Sequence, residues 1–321
     1  MTLKYINEPI LFQGRKKIRK YFEGWYFKQV SSDLKNSICI IPGITKDTAD
    51  THAFIQTIIY TNTDSKPKLE THYHRFSIEE FEYNDDPFSL VIGKNIFRAD
   101  GIELELSDDE YSLNGKISFS KFTKIKTSLI CPNIMGYYAY FPFLECYHGI
   151  VSMRHALKGS LILNKETIDF SLGKGYIEKD WGTSFPKKYV WFQSSNFNGS
   201  DASIMCSIAH IPFLGTSFQG FICNLSLSGQ EYRFASYNHS KILTLNNNGH
   251  TLDVTLANSN FMLEANAKMY EGGILKAPKN GIMNNTIKEG LSGIVDIQLA
   301  KKTGEIIFKG VGNFCGIDMV N

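Results

Sequence analysis

The chain has 321 residues, with 34 Lys and Arg against 32 Asp and Glu, so its net charge is close to neutral. That balance, without a run of basic residues interleaved with aromatics, excludes a nucleic-acid-binding groove. No uncharged apolar run approaches the roughly 20 residues of a membrane helix. Aromatic residues reach 13%, a surplus that favours β structure or a large apolar pocket.

The first element is the basic cluster RKKIRK, Arg15 to Lys20. A solvated arm or a strand edge explains it most simply. A contact with lipid headgroups is the alternative, so a peripheral membrane contact stays open as a hypothesis. The N-terminus lacks the apolar core of a signal peptide, and the sequence therefore predicts a cytoplasmic protein.

Short segments that alternate apolar and polar residues fill the first half of the chain, among them SICIIPGI, AFIQTIIY, SLVIGKNIF and YSLNGKISFS. The second half repeats this texture in ASIMCSIAHIP, FQGFICNLSL, TLDVTLAN and EIIFKGVG, with Gly, Asn and Asp turn signals between them. Helical periodicity is nearly absent. The pattern predicts an all-β chain of barrels or sandwiches with a few short helices.

The segment from Cys131 to Gly159 breaks this alternation with Pro, Gly and aromatic residues. We interpret it as a lid or connector over a cavity, or else as an irregular core-packing loop, because long connections in compact domains are uncommon and often functional. A helix is possible over Gly149 to Leu157.

The run GYIEKDWGTSFPKKYVWFQSSNF, residues 175–197, concentrates two carboxylates and two of the three tryptophans. Its alternation predicts two strands joined by a loop. At strand period Glu178 and Asp180 share one face, whereas Trp181 points to the other. If the shared face is buried, repulsion between the two acids should keep one protonated well above the usual pKa of roughly 4, as a general acid requires. The alternative is an outward polar face of a half-buried hairpin.

The six cysteines are scattered without the close paired spacing of zinc sites, and we predict free thiols. His72 and His74 flank one residue and share a strand face, a spacing that can bind metal. No third ligand stands out nearby, so a polar strand face is favoured and no metal site is predicted.

Several long stretches resemble the signatures of the tocopherol cyclase family: YFEGWYFK at Tyr21–Lys28, MGYYAYFPFLECYHGIVSMRHALKG at Met135–Gly159, and the run at 175–197. FQGFICNLSLSGQEYRFASYN, LKAPKNGIM and GNFCGIDMV extend the resemblance over nearly the whole chain. The chain begins almost at the first of these motifs, without the plastid-targeting extension of a plant enzyme, which indicates a compact bacterial member.

The resemblance implies two lipocalin-like antiparallel β-barrel halves, akin to the hydroxyneurosporene-synthase type of hydratase and to lipocalin-like pericyclases. We expect an N-terminal domain at 1–170 and a C-terminal domain at 171–321, with the site near their interface. The implied substrate is a prenylated hydroquinone, an apolar small molecule with a prenyl-like tail. Its phenol oxygen would add to the nearest trisubstituted alkene to give a chromanol, without a redox step or a cofactor.

Within that reaction we expect Asp180 to donate the proton, while Glu178 tunes it or accepts the phenolic proton; the reverse assignment stays open. His148 and His155 lie in a matched motif, each as a base or as a buried, satisfied histidine. Glu23 is a second candidate acid, for which a surface salt bridge is favoured.

Aromatic faces would stabilise the tertiary cation, and four candidates for this substrate-binding role are Trp181, Trp191, Trp25 and Tyr26. Trp25 and Tyr26 point to opposite strand faces, so only one of them should reach the pocket. Gln193 and Asn196 are candidates to hold the quinol oxygens, with structural pairing to backbone as the alternative.

Three classes of function remain open: a cofactor-independent cyclase, an acid-catalysed alkene hydratase, and a lipocalin-like carrier that only binds an apolar ligand. Fold-level analogy does not decide among them. The sequence carries no signal for oligomeric state.

Overall fold

The computed structural model describes residues 3–62, 67–109, 111–213 and 216–320, and these form an all-β protein, as predicted. The helical elements within those ranges are one short helix and four single 3-10 turns. They are α1 (Leu3–Asn7) and the turns Gly14–Lys16, Ile78–Glu80, Gly136–Tyr140 and Ser236–Asn238.

The first sheet is antiparallel throughout, with strand order β4-β3-β2-β1-β12-β10-β9-β8-β7-β6-β5 and a short strand β11 paired with β10. Its strands are β1 (Tyr21–Val30), β2 (Asn36–Lys46), β3 (His52–Asn62), β4 (Pro67–Phe76), β5 (Phe81–Asp85), β6 (Phe88–Ile92), β7 (Asn95–Arg98), β8 (Gly101–Ser107), β9 (Ser112–Phe119), β10 (Cys146–Leu163), β11 (Glu166–Asp169) and β12 (Lys174–Gly182).

The second sheet is also antiparallel, with strand order β17-β16-β15-β13-β23-β22-β20-β19-β18, while β14 pairs with β23 and β21 with β22. Its strands are β13 (Tyr189–Ser194), β14 (Asn196–Phe197), β15 (Ser203–Phe213), β16 (Thr216–Leu227), β17 (Gln230–Ala235), β18 (Lys241–Asn247), β19 (Thr251–Ala257), β20 (Phe261–Lys268), β21 (Gly273–Lys279), β22 (Ile282–Lys301) and β23 (Ile306–Val320).

The chain passes from the first sheet to the second at residues 183–188, and not at the domain boundary expected between residues 170 and 171. Strand β12 fills the gap between β1 and β10, where Trp25 is opposite Lys179 and His148 is opposite Asp180. Strand β13 pairs instead with β15 and β23. The two strands of the 175–197 run are therefore joined by a loop, as predicted, but they belong to different sheets and form no hairpin.

The helix considered possible over Gly149–Leu157 is wrong, because this segment is the middle of β10. The strand is long enough to pair with β12 through its first part and with β9 through its second. Its bulges, between Ile150 and His155, account for the break in alternation that obscured the strand in the sequence.

Each sheet encloses its own apolar core, and a third apolar cluster lies between the sheets. This third cluster combines Tyr26 and Tyr176 of the first sheet with Trp191 and Leu291 of the second. The strands β1, β12 and β13 are consequently buried on both faces. Polar and charged side chains on these strands are held in a dry environment, where their chemistry differs from that at a surface.

All six cysteines are free, as predicted. Among the described residues, no helix has the length and apolar character needed to cross a membrane. In the basic cluster, Arg15 forms an ion pair with Asp85 and lies over the rings of Tyr5 and Tyr83, at 5.0 and 4.8 Å from their centroids. One member of the cluster is thus engaged within the protein, and a membrane contact of the others stays a prediction.

Candidate functional site

Glu178 and Asp180 project from β12 towards the second sheet and line a cavity between the two sheets. The period of two predicted their common face. Glu178 is almost fully buried, with a side chain 5% exposed, whereas the side chain of Asp180 is 26% exposed. One acid therefore faces a dry interior while its neighbour stays in contact with the cavity opening.

His148 joins the two acids. It is the cross-strand neighbour of Asp180 on β10. Its Nδ1 lies 2.8 Å from Asp180 Oδ1, and its Nε2 lies 3.4 Å from Glu178 Oε2. The three side chains predicted as catalytic are thus brought together in one chain of contacts, Asp180–His148–Glu178.

Burial raises the pKa of Glu178 to about 7, and the His148 cation opposes this rise while the Asp180 carboxylate adds to it. Hydrogen bonds from the Tyr176 hydroxyl and from Trp191 Nε1, the latter at 3.2 Å, also hold the pKa down. Glu178 consequently keeps its proton to a higher pH than an ordinary carboxyl does. The acid with the raised pKa is Glu178, whereas the sequence hypothesis favoured Asp180 as donor.

His148 is held as a cation. Burial opposes its charge, but the carboxylates of Glu178 and Asp180 and the hydrogen bond to Asp180 raise its pKa to about 9. The site therefore places the His148 imidazolium between the carboxyl groups of Asp180 and Glu178.

A second pair of acids, which the sequence analysis missed, lines the same cavity from the second sheet. Glu289 of β22 and Asp318 of β23 are cross-strand neighbours, and they accept hydrogen bonds from the hydroxyls of Tyr26 and Tyr189 respectively. Burial raises the pKa of Glu289 well above its usual range and that of Asp318 to about 7. The available signal was a lone acid among apolar strand residues, as in the GNFCGIDMV motif.

The cavity has a volume of about 200 Å³. Away from the acids its walls are mainly apolar, with contributions from Ile41, Phe54, Met135, Tyr138, Phe218 and Ile287. A cavity of about 150 Å³ is enough to hold benzene. This one therefore accommodates an aromatic ring and a short apolar substituent, and a longer tail must leave through the opening. Met135 and Tyr138 belong to the segment interpreted as a lid or connector.

The predicted aromatic residues divide between the cavity and the first core. Tyr26 and Trp191 line the cavity with ring centroids 5.5 Å apart. Trp25 and Trp181 lie on the opposite strand faces, in the core of the first sheet. Only one of Trp25 and Tyr26 reaches the cavity, as predicted, and Trp181 should have been excluded by the same rule of alternation.

The core tryptophans enclose a buried ion pair. Lys179 Nζ lies 2.5 Å from Glu23 Oε1, and both side chains are fully buried. The ring centroids of Trp25 and Trp181 are 4.8 and 4.7 Å from Nζ. Glu23 forms a salt bridge, as favoured, but with Lys179 and in the interior, so it serves the fold and not the cavity.

Gln193 and Asn196 do not line the cavity, which corrects their assignment to the quinol oxygens. Gln193 Oε1 accepts a hydrogen bond from Lys28 Nζ at 3.0 Å, and its amide donates to Ser195 Oγ at 2.8 Å. Asn196 is buried beyond it, in the short strand β14. Gln193 shares a strand face with Trp191, but β13 extends beyond the cavity after Trp191. Gln193 therefore does not line the cavity.

Other histidines take structural positions. His155 is buried against Phe119, and burial lowers its pKa to about 3, so it is neutral. The rings of His72 and His74 lie 3.9 and 5.4 Å from that of Tyr111.

Within the described ranges, one group has ligand types and spacing suited to a metal: His148, Glu178 and Asp180, with ligand atoms within 4.8 Å of one another. The two imidazole nitrogens are directed at different carboxylates. A metal ion bound to His148 Nε2 could also be bound by Glu178. Asp180, however, would remain hydrogen-bonded to Nδ1 on the other side of the imidazole ring. This arrangement suits proton transfer and charge stabilisation better than convergent ligation.

Two antiparallel sheets around an acid-lined apolar cavity define a lipocalin-type fold, and solved structures agree. A putative AttH from Nitrosomonas europaea matches with a TM-score of 0.53 and 11% identity over 96% of this chain and 94% of that one. Kievitone hydratase from Nectria haematococca matches with a TM-score of 0.53 and 13% identity over 97% and 93%. CghA with Sch210972 reaches a TM-score of 0.58 at 7% identity over 94% and 89%.

Residues 109–320 match the family model described as tocopherol cyclase-like, and the chain belongs to that family. A probable chloroplastic tocopherol cyclase from Oryza sativa subsp. japonica is 26% identical over 148 residues, 44% of this chain. A chloroplastic tocopherol cyclase from Zea mays is 31% identical over 74 residues, 23% of this chain. The matched segments span 31% and 16% of those relatives' own lengths.

Proposed function

We propose that the protein is a cofactor-independent cyclase that converts a prenylated hydroquinone to a chromanol. The observation that carries this proposal is the position of Glu178, a buried acid in a mainly apolar cavity, in contact with His148 and through it with the carboxyl of Asp180. Addition of a phenol to an alkene needs both a proton donor and a proton acceptor. The family membership supports the same class of reaction.

In the proposed reaction Glu178 donates its proton to the less substituted carbon of the alkene nearest the ring. Positive charge develops on the tertiary carbon, the phenol oxygen forms a C–O bond there, and the phenolic proton passes to Asp180. The His148 cation, 3.4 Å from Glu178, stabilises the carboxylate that Glu178 becomes. Because Asp180 is partly exposed, it returns its proton to solvent, and Glu178 is reprotonated for the next cycle.

Two aromatic rings stabilise the developing cation in this proposal. Trp191 donates to Glu178 through its Nε1, so its ring lies beside the proton donor. The Tyr26 ring packs edge-on against it. In a dry cavity such a face contributes up to about 2 kcal/mol to a cationic transition state. The apolar walls also limit access of water, which would otherwise trap the cation as an alcohol.

The test is incubation of the purified protein with a panel of prenylated hydroquinones, followed by mass spectrometry of the products. A product with the mass of the substrate but one ring more, formed by wild type and lost in Glu178→Gln, supports the proposal. Glu166→Gln is the matched control, because it makes the same change at an exposed position of β11. A product heavier by one water would identify a hydratase, and bound but unchanged substrate would identify a carrier.

A further inference from the structure

The acids of the second sheet have no role in the reaction described above, although they line the same cavity. Glu289 and Asp318 are 5% and 3% exposed. Each accepts a hydrogen bond from a tyrosine hydroxyl, and the Lys28 cation also acts on Glu289 and the Met319 backbone on Asp318. Burial of two neighbouring carboxyls costs free energy of folding, and a ligand that hydrogen-bonds to them would offset part of that cost.

One oxygen of the Asp318 carboxyl has no hydrogen-bond partner among the described residues. Tyr189 donates to Oδ2 of Asp318, while Oδ1 of the same carboxyl is buried and has no hydrogen-bond partner among the described residues. Glu289 accepts the hydrogen bond from the Tyr26 hydroxyl through its Oε1. A buried acceptor without a donor lowers stability, and a ligand hydroxyl that donates to it removes that cost.

We propose that Asp318, held in place by Tyr189, is a second polar subsite that accepts a hydrogen bond from a hydroxyl on the far side of the substrate ring. The inference rests on the proposed function, since it assigns the reacting oxygen to Glu178 and Asp180. Those residues approach the cavity from the first sheet and Asp318 from the second. A ring held at both poles can present only one of its oxygens to the alkene, so Asp318 is a positioning residue that selects dihydroxy arenes.

The subsite takes over the role that the sequence assigned to Gln193 and Asn196. Unlike those two amides, Asp318 lines the cavity, and its Oδ1 has no hydrogen-bond partner among the described residues. Tyr189, which is also part of the lining, fixes the carboxyl plane through its hydrogen bond.

The experiment measures binding by quenching of tryptophan fluorescence, with three probes: 2-geranylhydroquinone, 2-geranylphenol and 4-methoxy-2-geranylphenol. All measurements use the Glu178→Gln background, in which turnover is blocked. We expect the hydroquinone to bind about tenfold more tightly than the phenol, the difference one hydrogen bond to a carboxyl makes. Asp318→Leu should reduce that ratio to about one by weakening only the hydroquinone.

A second variant covers the case in which Asp318→Leu does not fold. In Asp318→Asn the amide oxygen still accepts from Tyr189, and an NH₂ group replaces Oδ1 as a donor. The methoxy probe should then gain about tenfold in affinity relative to the hydroquinone. An unchanged ratio in either folded variant overturns the inference.

The result is separable from the proposed function. If wild type converts all three probes with equal KM, the cyclase stands and the second subsite does not exist. If wild type converts none of them, yet the binding ratio responds to Asp318, the subsite stands and the cyclase proposal fails.

Discussion

His148 and Asp180 are cross-strand neighbours whose side chains meet at 2.8 Å, and this contact places the far nitrogen of the imidazole beside Glu178. Two strands of the first sheet thereby hold Asp180, His148 and Glu178 in one row along the cavity. In the proposed reaction Glu178 supplies the proton, and the His148 cation stabilises the carboxylate that is left. The predictions below test the parts of this arrangement separately.

Glu178→Gln should reduce turnover by about 10²- to 10⁴-fold, the usual contribution of a positioned general acid. Ligand affinity should change little, because Gln can keep the hydrogen bonds from Tyr176 and Trp191. Turnover rates and dissociation constants for the two proteins check this. A parallel loss of affinity and turnover would show that Glu178 binds substrate and does not act as the acid.

The pH dependence of kcat/KM should show a fall as pH rises through about 7. Only protonated Glu178 donates, and its pKa of about 7 means that the active form is present below this pH and is lost above it. A profile that stays flat to pH 9 would assign the acid elsewhere.

His148→Gln should move this alkaline limb to higher pH while lowering kcat. The His148 cation holds the pKa of Glu178 down, so its removal raises that pKa further. His155→Gln is the matched control, since His155 is a buried neutral histidine outside the cavity, and it should leave the limb in place. Equal shifts in both variants would contradict a direct effect of His148.

Trp191→Leu should lower kcat by about tenfold, because a ring face beside the cation contributes up to about 2 kcal/mol. Trp181→Leu makes the same change at a tryptophan in the apolar core of the first sheet. It should instead lower the unfolding temperature and leave kcat of the folded protein unchanged. Steady-state kinetics and thermal unfolding of the two variants distinguish these effects. A loss of kcat in Trp181→Leu would place that ring at the reaction after all.

Glu23→Gln should destabilise the protein by about 3–5 kcal/mol, because it leaves the Lys179 cation buried without its partner. Replacing both residues, as Glu23→Gln with Lys179→Met, should recover part of this loss, since no buried charge remains and the Gln side chain at position 23 can still accept from the Gly14 N–H and the Tyr21 hydroxyl. Denaturant unfolding measures both changes. Stability unaffected by the single change would show that the pair is solvated in solution.

Much of the site follows from elementary strand geometry. The period of two correctly placed Glu178 and Asp180 on one face, and it separated Tyr26 from Trp25. Alternation says which face a residue takes, but not how far along the strand a cavity extends. For that reason Gln193 was assigned to a cavity that ends at Trp191.

The contributions of distant strands were beyond the sequence pattern. Asp318 lies among apolar residues and Glu289 lies between Lys288 and Gly290, and only the pairing of β22 with β23 brings the two acids together. That β12 belongs to the first sheet was unpredictable for the same reason. It depends on non-local pairing with β1, which no local propensity records.

The central claim, that Glu178 protonates the alkene, is tested most directly by the position of deuterium in the product made in deuterated water from 2-geranylhydroquinone. The account predicts a chromanol with one deuterium on the ring carbon next to the new C–O carbon, in a single diastereotopic position, and no such product from Glu178→Gln. A chromanol that lacks deuterium, or carries it equally in both positions, would contradict protonation by one fixed acid.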